Sequence, residues 1–368
     1  MRVVVTGGGT GGHIYPALAI AKGLQERRPE SQILYVGGKG GMEEDLVPKA
    51  GLPAVFLPAR GIVGKSPSQR VKGMALAARG LTRAMAILRE FKPQVVVGTG
   101  GYVSGPVVLA AVLLRIPAAL QEQNVVPGFT NRILSPWVGR VFLPAEEGRR
   151  HFPARARCLV TGNPLRPEIL AANREDARRV LGLSPQDVFG VIFAGSRGSS
   201  TLNEIFMQAL PQLLELPSLR LLWATGTQHF AAIQGRIRVA GGEKLEVKSY
   251  IDAMEIPLAA ADFAITRAGA TTLSELAALG VPGILIPSPY VAHNEQEGNA
   301  RPLVQSGAAV MIRERELTPE KLVAEVAGLV KDPERRKAMA KAALQKARPR
   351  ALDDILQEVE KLAGGQKG

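Results

Sequence analysis

Residues 266–279 read TRAGATTLSELAAL, and this stretch indicates how the chain folds. An apolar run at residues 263–265 precedes it, as in a buried strand, and leucines at helical spacing follow its first half. Gly269 and its small neighbours between the two segments are typical of a tight strand-to-helix turn. Such a turn directs unpaired backbone N–H groups and the positive end of the helix dipole at one point. We therefore expect an anion to bind there, with Arg267 as a further positive charge.

Glu275 in the same stretch has two interpretations. Thr272 and Glu275 have the spacing of a capping box, in which each side chain bonds to the other residue's backbone amide. In the functional interpretation, the Glu275 carboxylate accepts hydrogen bonds from two adjacent hydroxyls, as on a ribose. The local pattern is compatible with both.

The composition is that of a globular protein, with 368 residues of which 46% are hydrophobic and 21% are charged. This length predicts two domains. A single cysteine, Cys158, excludes a disulfide scaffold and fits a reducing compartment. No apolar run approaches the ~20 residues that span a bilayer, and the N-terminus MRVVVTGGG reaches glycine too early for a secretory signal. These features predict a cytoplasmic protein.

The chain is strongly basic, with a formal net charge of +13 and with Lys and Arg spread along its length. Acidic substrates, an anionic membrane surface and nucleic acid would each account for this charge. The low aromatic content of 5% and the lack of a nucleic-acid-binding motif argue against nucleic acid as a partner.

A glycine-rich loop at residues 7–12 follows a predicted strand at 2–6 and precedes a predicted helix at about 15–28. This arrangement cradles phosphates and matches a dinucleotide-binding fingerprint. However, the next predicted strand, 32–36, ends without the acidic residue that would hold an adenosine ribose. This absence argues against a nicotinamide- or flavin-dependent oxidoreductase. His13 ends the loop and is a candidate general base or hydrogen-bond donor. Its alternative role is that of a helix N-terminal residue that only packs.

Two more polar loops follow predicted strands in the first half of the chain. The strand at 95–97 leads into a second glycine loop at 98–106, and the strand at 118–120 ends in Gln121-Glu122-Gln123-Asn124. Side-chain amides and carboxylates of this kind recognise sugar hydroxyls well. The alternative is a hydrogen-bonded turn without a ligand.

A candidate membrane contact lies between these loops. Ile62 and Val63 are apolar residues in a cationic loop, and Lys72, Arg79 and Arg83 share one face of a helix predicted near 69–91. Together they are typical of a membrane-surface contact. A solvated helix face is the alternative.

The second half of the chain repeats the alternation of strand and helix. We predict strands at 190–193, 219–223, 245–247, 263–265 and 281–286, and helices at 202–214, 319–329, 333–346 and 352–362. Alternating strands and helices produce parallel, doubly wound sheets. The chain is therefore predicted to be an α/β protein of two Rossmann-like domains that face each other across a cleft.

Seven motifs, in order, carry a resemblance to one family: GGTGGH, GGYVSGP, EQN followed by PG, GNPLR, a GS-x-G loop, RAGATTLSE and a late Q-x-x-N. The chain resembles the MurG family of bacterial peptidoglycan glycosyltransferases over nearly its whole length. The resemblance implies a GT-B fold and transfer of N-acetylglucosamine (GlcNAc) from UDP-GlcNAc to undecaprenyl-pyrophosphoryl-MurNAc-pentapeptide (lipid I), which yields lipid II. It implies an acceptor domain at residues 1–161, a donor domain at 162–349 and a C-terminal helix at about 350–368 that packs back on the first domain.

The resemblance also assigns residues to the two substrates. The donor-binding set is Thr10, Gly11, Gly12, Asn124, Arg166, Ser196, Ile251, Arg267, Ala270, Thr271, Thr272, Glu275, Gln296 and Asn299. The acceptor-binding set is Gly100, Gly101, Tyr102 and Ser104. Within the donor set, Glu275 would hold the ribose, Ile251 the uracil, and Arg166 and Ser196 the diphosphate.

The implied reaction is a single displacement that inverts the anomeric carbon. His13 is the predicted base for the acceptor hydroxyl, with Glu122 as the rival. No Asp-x-Asp metal motif is present and no cofactor is expected, so helix dipoles, loop amides and cations such as Arg166 and Arg267 would stabilise the leaving diphosphate. The implied location is peripheral, on the cytoplasmic face of the inner membrane, with proteins of cell-wall synthesis as possible further partners.

Two positions depart from the family pattern. Gln121 stands where the family carries His before EQN, and Arg197 stands where its GS-x-G loop carries Gln. A catalytic role for the first position is therefore in doubt, and Arg197 either reinforces diphosphate binding or points to solvent.

Three alternative functions remain at this point. Another GT-B transferase, such as a diacylglycerol glucosyltransferase, would use the same donor site. An oxidoreductase would use the first glycine loop, and a non-catalytic sensor would bind UDP-GlcNAc without turnover.

Overall fold

The computed structural model describes residues 1–58, 67–195, 197–237, 242–291 and 294–365, with backbone only for 67–77. It contains two compact units. Unit 1 comprises residues 1–165 and 348–368, and unit 2 comprises residues 166–347.

Unit 1 is built on a parallel sheet whose strands lie in the order β3-β2-β1-β4-β5-β6-β7. The strands are β1 Arg2–Thr6, β2 Gln32–Gly38, β3 Ala54–Leu57, β4 Val95–Gly98, β5 Ala118–Gln121, β6 Arg140–Leu143 and β7 Cys158–Val160. The helices are α1 Gly11–Arg27, α2 Glu43–Lys49, α3 Pro67–Phe91, α4 Gly101–Leu113, α5 Phe129–Leu134 and, from the end of the chain, α15 Ala351–Ala363.

Strand β1 shows how the sheet of unit 1 is buried on both faces. Val3 and Val5 pack into a core with α1 and α15, whereas Val4 packs into a second core with α3 and α4. This alternation follows from the two-residue period of a strand. A sheet covered by helices on both faces needs continuous apolar strands, which explains runs such as VVV in β1 and β4.

Unit 2 repeats the plan with a parallel sheet in the order β10-β9-β8-β11-β12-β13. The strands are β8 Val188–Phe193, β9 Leu219–Ala224, β10 Leu245–Lys248, β11 Phe263–Thr266, β12 Gly283–Leu285 and β13 Ala309–Met311. The helices are α6 Pro167–Ala171, α7 Arg174–Val180, α8 Ser200–Glu215, α9 Phe230–Gln234, α10 Glu255–Ala260, α11 Ala270–Leu279, α12 Glu295–Gln305, α13 Pro319–Lys331 and α14 Pro333–Lys346.

The prediction of two doubly wound Rossmann-like domains is thus confirmed. In each sheet the first strands are added in order on one side of the first strand, and the chain then crosses to add the later strands on the other side. The crossing points lie between β1 and β4 in unit 1 and between β8 and β11 in unit 2. In open α/β sheets, ligands bind at the carboxyl ends of the strands beside such a point.

The helix after the first glycine loop begins earlier than predicted. Helix α1 starts at Gly11 rather than near residue 15, so His13 lies in its first turn and Pro16 lies beyond it. The glycines at the end of the loop adopt helical geometry, which the composition GTGG did not indicate. The amide missing at Pro16 costs one helical hydrogen bond early in α1.

Candidate functional site

Three polar loops of unit 1 meet beside the crossing point between β1 and β4. They follow β1, β4 and β5, which are neighbours in the sheet. The loops after β1 and β4 approach so closely that a Cβ added at Gly101 would lie 2.1 Å from the carbonyl oxygen of Gly8. Gly101 also has a φ of +81°, so both its conformation and its surroundings require glycine.

His13 lies where these loops meet. Its Nδ1 is 3.1 Å from the carbonyl oxygen of Thr99 and 2.9 Å from Oε1 of Gln123. The Thr99 hydroxyl donates to the carbonyl of His13 at 2.7 Å, which ties the first turn of α1 to the end of β4. Among the described residues, none bonds to Nε2 of His13, so this nitrogen is available to a ligand.

Glu122 occupies the centre of the loop after β5 and is 1% exposed. One carboxylate oxygen accepts from the amide of Asn124 at 2.9 Å. The other accepts from the amide of Gly128 at 3.0 Å and from the side chain of Asn131 at 2.9 Å. Both oxygens of Glu122 are therefore engaged in holding the loop.

Glu43 is a site feature that the sequence analysis missed. This fully buried carboxylate begins α2 and accepts from the amide of Gly9 at 3.2 Å and from the amide of Gly38 at 3.0 Å. Glu43 thereby holds the first glycine loop through the amide of Gly9. The sequence did contain a signal for this role, because Glu43 closely follows the glycine-rich segment 37–41 at the end of β2.

The predicted acceptor residues start α4. Tyr102 packs on the first glycine loop, since a Cβ added at Gly9 would lie 2.9 Å from its ring. Burial, followed by the nearby carboxylates Glu43 and Glu44, raises the pKa of Tyr102. Ser104 is fully buried against Gly98, so the structure does not bring its hydroxyl to the surface.

In unit 2, the corresponding point is the start of α11. The helix begins at Ala270 with Gly269 as its N-cap, and no side chain caps it. The amides of its first turn, at Ala270, Thr271 and Thr272, have no intrahelical acceptor, and these residues are half-buried. They therefore form an anion-binding helix end beside the crossing point of the second sheet.

The capping-box interpretation of Glu275 is wrong. Thr272 is the third residue of α11 rather than its N-cap, so Glu275 lies in the second turn, where it has no free N-cap amide to accept from. The Glu275 carboxylate instead lies 3.6 Å from the Arg166 guanidinium, which is also 3.7 Å from Glu255. Burial raises the pKa of Glu275, although Arg166 acts in the opposite direction.

Arg267 is held within unit 2. Its guanidinium donates to the hydroxyl of Ser199 at 2.5 Å and to the carbonyl oxygen of Ile286 at 3.1 Å, and it pairs with Glu314 at 2.5 Å. Ser199 also caps α8. Arg267 thus connects the loops after β8, β11 and β12 and adds a mostly neutralised charge to the site.

The remaining predicted donor residues are distributed over several loops. Gln296 accepts from the amide of Ser288 at 2.8 Å, and Asn299 lies 3.5 Å from the carbonyl oxygen of Ala268, next to the start of α11. Ile251 is buried. Ser196 lies outside the described residues, and the neighbouring Arg197 is exposed.

In unit 1, Thr10, Gly11 and Gly12 form the junction of the first glycine loop with α1. Asn124 donates its backbone amide to Glu122. Within the described ranges, no three His, Cys, Asp or Glu side chains are grouped closely enough to hold a metal ion.

Comparison with known proteins identifies the family. The model of the glycosyltransferase family 28 N-terminal domain matches residues 3–143, and that of the C-terminal domain matches residues 190–355. A relative from Desulforudis audaxviator is 47% identical, covering 99% of this chain and 99% of its own length. One from Symbiobacterium thermophilum is 44% identical, covering 99% of this chain and 96% of its own. Both are named UDP-N-acetylglucosamine--N-acetylmuramyl-(pentapeptide) pyrophosphoryl-undecaprenol N-acetylglucosamine transferase.

The solved structure of Acinetobacter baumannii MurG is 30% identical, has a TM-score of 0.79 and covers 98% of this chain and 99% of its own. The similarity spans both units and almost the full length of these relatives. The chain therefore belongs to glycosyltransferase family 28, among the transferases of the MurG family.

Proposed function

We propose that this protein transfers GlcNAc from UDP-GlcNAc to the 4-hydroxyl of MurNAc in lipid I, which yields lipid II for peptidoglycan synthesis. The observation that carries this conclusion is the 47% identity, over 99% of both chains, to a relative named for this transfer. The alternatives of an oxidoreductase and of a sensor have no comparable support.

The donor is assigned to unit 2. The first-turn amides of α11 and its positive dipole end suit the diphosphate. Glu275, one turn further along, offers two carboxylate oxygens to the ribose hydroxyls. Arg166, at 3.6 Å from Glu275 and 39% exposed, opposes the larger effect of burial on the pKa of that carboxyl and adds positive charge for the leaving diphosphate.

The acceptor is assigned to the loops of unit 1, with His13 as the base. As the 4-hydroxyl oxygen bonds to the anomeric carbon, the bond from that carbon to the diphosphate oxygen breaks and UDP leaves with the electron pair. The hydroxyl proton passes to Nε2 of His13. Nothing in the described part of unit 1 bonds to this nitrogen, whereas both oxygens of Glu122 already accept hydrogen bonds. Glu122 is therefore assigned to positioning Asn124 rather than to proton transfer.

A turnover assay tests this assignment. UDP release from UDP-GlcNAc should require a lipid I analogue, should persist in EDTA and should not respond to diacylglycerol. His13→Ala should lower kcat about 100-fold or more, the usual contribution of a general base, with little change in the affinity for UDP-GlcNAc. Release driven by diacylglycerol would establish the other transferase, and an unchanged kcat would remove His13 as the base.

We also propose that the protein binds peripherally to the anionic cytoplasmic surface of the membrane. None of the helices in the described ranges is both long and apolar enough to span a bilayer. The predicted contact at Ile62 and Val63 lies outside the described residues. The structure offers a second candidate, the α5 apolar face, which consists of Phe129, Ile133 and Trp137 at exposures of 63%, 45% and 61%.

The α5 apolar face has the features of a lipid contact. Phe129 and Ile133 are four positions apart in α5 and therefore share one side, and Trp137 lies in the 3-10 turn that follows directly. Positive charge lies nearby, since Arg132 belongs to α5 itself. After the larger effect of burial, Arg150 and Arg132 both lower the pKa of His151. The amide of Gly128, next to Phe129, bonds to Glu122 of the acceptor loop. Membrane binding there would place the acceptor loop at the surface that carries a lipid-linked substrate.

Vesicle binding tests the α5 apolar face. Replacing Ile133 and Trp137 together by Ser should reduce binding to vesicles that contain anionic phosphatidylglycerol, while turnover of a soluble acceptor analogue should change little. Tyr290→Ser is the matched control, because Tyr290 is 84% exposed but belongs to unit 2. Equal binding by the double variant and the unmodified protein would rule out this face.

A further inference from the structure

A chain of buried side-chain amides connects His13 to Asn163, which lies shortly after β7. Gln123 Oε1 is 2.9 Å from Nδ1 of His13, and its Nε2 donates to Oε1 of Gln121. Nε2 of Gln121 donates to Oδ1 of Asn163 at 3.0 Å, and Nδ2 of Asn163 returns to the carbonyl oxygen of Gln123 at 3.1 Å. The three amide residues are at most 3% exposed.

The carbonyl groups around this chain determine which way the amides point. Nε2 of Gln123 lies 2.7 Å from the carbonyl oxygen of Thr99 and 3.2 Å from that of Gln121, and both oxygens can only accept. The amide nitrogen therefore faces them, and Oε1 must face His13. Nδ1 of His13 then has two acceptors, Thr99 O and Gln123 Oε1, so it carries the proton. In the neutral ring the lone pair is consequently on Nε2.

We infer that Gln123 is a positioning residue for the transfer reaction, which fixes the tautomer of His13 that can accept a proton at Nε2. This inference rests on the proposed function. Gln121 supports it by accepting from Nε2 of Gln123 with its side-chain oxygen, which helps to hold the Gln123 amide in this orientation. Gln121, the position that departs from the family pattern, is itself fully buried and thus acts through Gln123.

The side chain that Gln123 presents to Nδ1 of His13 is a neutral amide rather than a carboxylate. When Nε2 takes the acceptor proton, the ring becomes a cation, and Oε1 of Gln123 stabilises it as a dipole rather than as a full charge. A carboxylate in the same place would stabilise the cation more strongly and raise the imidazole's basicity.

The other titratable groups of the surrounding loops are held by backbone and side-chain amides or packed against the loops. Glu122, after β5, accepts from Gly128 and Asn131, and Glu43, at the start of α2, accepts from Gly9 and Gly38. Tyr102 of α4 packs on Gly9 and Gly38. A change of charge at Gln123 is therefore the most direct way to alter His13.

The test is the pH profile of kcat in the UDP-release assay with UDP-GlcNAc and a lipid I analogue. Gln123→Glu keeps the acceptor atom, and we expect it to move the acidic limb of the profile upward by about one pH unit or more, as an opposite charge at hydrogen-bond distance does. Gln123→Met keeps the size but removes the acceptor, and it should lower kcat several-fold while UDP-GlcNAc affinity remains within about twofold. Gln94→Glu, an exposed change of the same charge in unit 1, should leave the profile unchanged.

The control background is His13→Ala. If Gln123 acts through His13, Gln123→Glu should produce no shift of the acidic limb there. The inference is overturned if the shift persists in that background, or if Gln123→Glu and Gln123→Met have the melting temperature of the unmodified protein and its pH profile. Failure of the unmodified protein to release UDP in response to the lipid acceptor would instead refute the proposed function.

Discussion

Glu275 is a buried carboxylate in unit 2 whose charge is only partly balanced by a nearby cation. The residue is 8% exposed, and its closest cation is 3.6 Å away rather than at hydrogen-bond distance. The folded protein therefore holds an incompletely compensated carboxylate. A structural role would not require this arrangement, whereas a ribose would supply the missing hydrogen bonds.

Glu275→Gln should have opposite effects on stability and on donor binding. Because burial raises the pKa of Glu275, the folded state retains its proton more readily than the unfolded state, so this group favours folding at low pH and the benefit is lost as pH rises through the folded pKa. Removing the charge should therefore raise the melting temperature at pH 7.5 relative to the unmodified protein, and less so near pH 4.5.

The same Glu275→Gln change should weaken UDP-GlcNAc binding. Hydrogen bonds to a charged group contribute about 1.5–3 kcal/mol, or roughly 10- to 150-fold in affinity. Calorimetric titration measures this loss, with Glu246→Gln, an exposed change on β10, as the control. Unchanged affinity would leave Glu275 with no role in the donor site.

At the scale of secondary-structure elements, glycines determine how closely neighbouring strand-to-helix loops can approach. The loops after β1 and β4 contact each other at Gly8 and Gly101, and those after β8 and β9 do so at Gly198 and Gly226. In both pairs an added Cβ would meet backbone atoms, which cannot move aside as a flexible side chain would. Both units thus use glycines to bring the loops of two neighbouring strands together, in unit 1 across the crossing point and in unit 2 beside it.

Gly101→Ala should separate the loops of the acceptor site. Its Cβ would lie 2.1 Å from the carbonyl oxygen of Gly8, and its φ of +81° adds the left-handed strain of roughly 1–2 kcal/mol. We expect a loss of stability greater than that strain and a marked fall in turnover with the lipid acceptor.

The matched control for Gly101→Ala is Gly182→Ala. Gly182 has a φ of +61°, but an added Cβ would contact nothing within 4 Å, so this change isolates the conformational strain. Urea unfolding compares the two variants. Equal losses of stability would show that the contact with Gly8 contributes nothing.

At the scale of the whole molecule, the last helix completes the first unit. Ile355, Leu356 and Val359 of α15 are buried in the same core as β1 and α1. Arg140 and Glu358 pair at 2.9 Å, and Arg28 and Glu360 pair at 2.9 Å. The core of unit 1 therefore depends on residues more than 300 positions apart.

Leu356→Ala should destabilise unit 1 specifically. Loss of a buried leucine side chain costs about 2–5 kcal/mol, and in a unit of this size each kcal/mol lowers the melting temperature by roughly 2–4 °C. Leu113→Ala, a helical leucine of the same unit that is 56% exposed, is the control. Calorimetry should show one lowered transition while UDP-GlcNAc affinity is retained. Equal effects of the two changes would contradict this account of α15.

The long elements could be predicted from their patterns because local sequence and fold agree in them. Helix α14 at Pro333–Lys346 has the predicted bounds, and helix α13, predicted at 319–329, is Pro319–Lys331. Short elements could not be predicted, such as β13 at Ala309–Met311, since three residues carry no measurable period. The predicted strand at 281–286 is only Gly283–Leu285, although the carbonyl of Pro282 and the amide of Ile286 still bond to β11.

Local pattern and residue identity were enough to establish the α/β class, the alternation of strands and helices, and the order of motifs that indicates the family. The folded structure was needed to show where α11 begins, and hence that Glu275 is no capping residue. It was also needed to show that Glu43 supports the first glycine loop and that Gln123 and Thr99 hold Nδ1 of His13. These relations join residues that are far apart in the chain, and strand order, which brings the ends of β1, β4 and β5 together, is not encoded in any one segment.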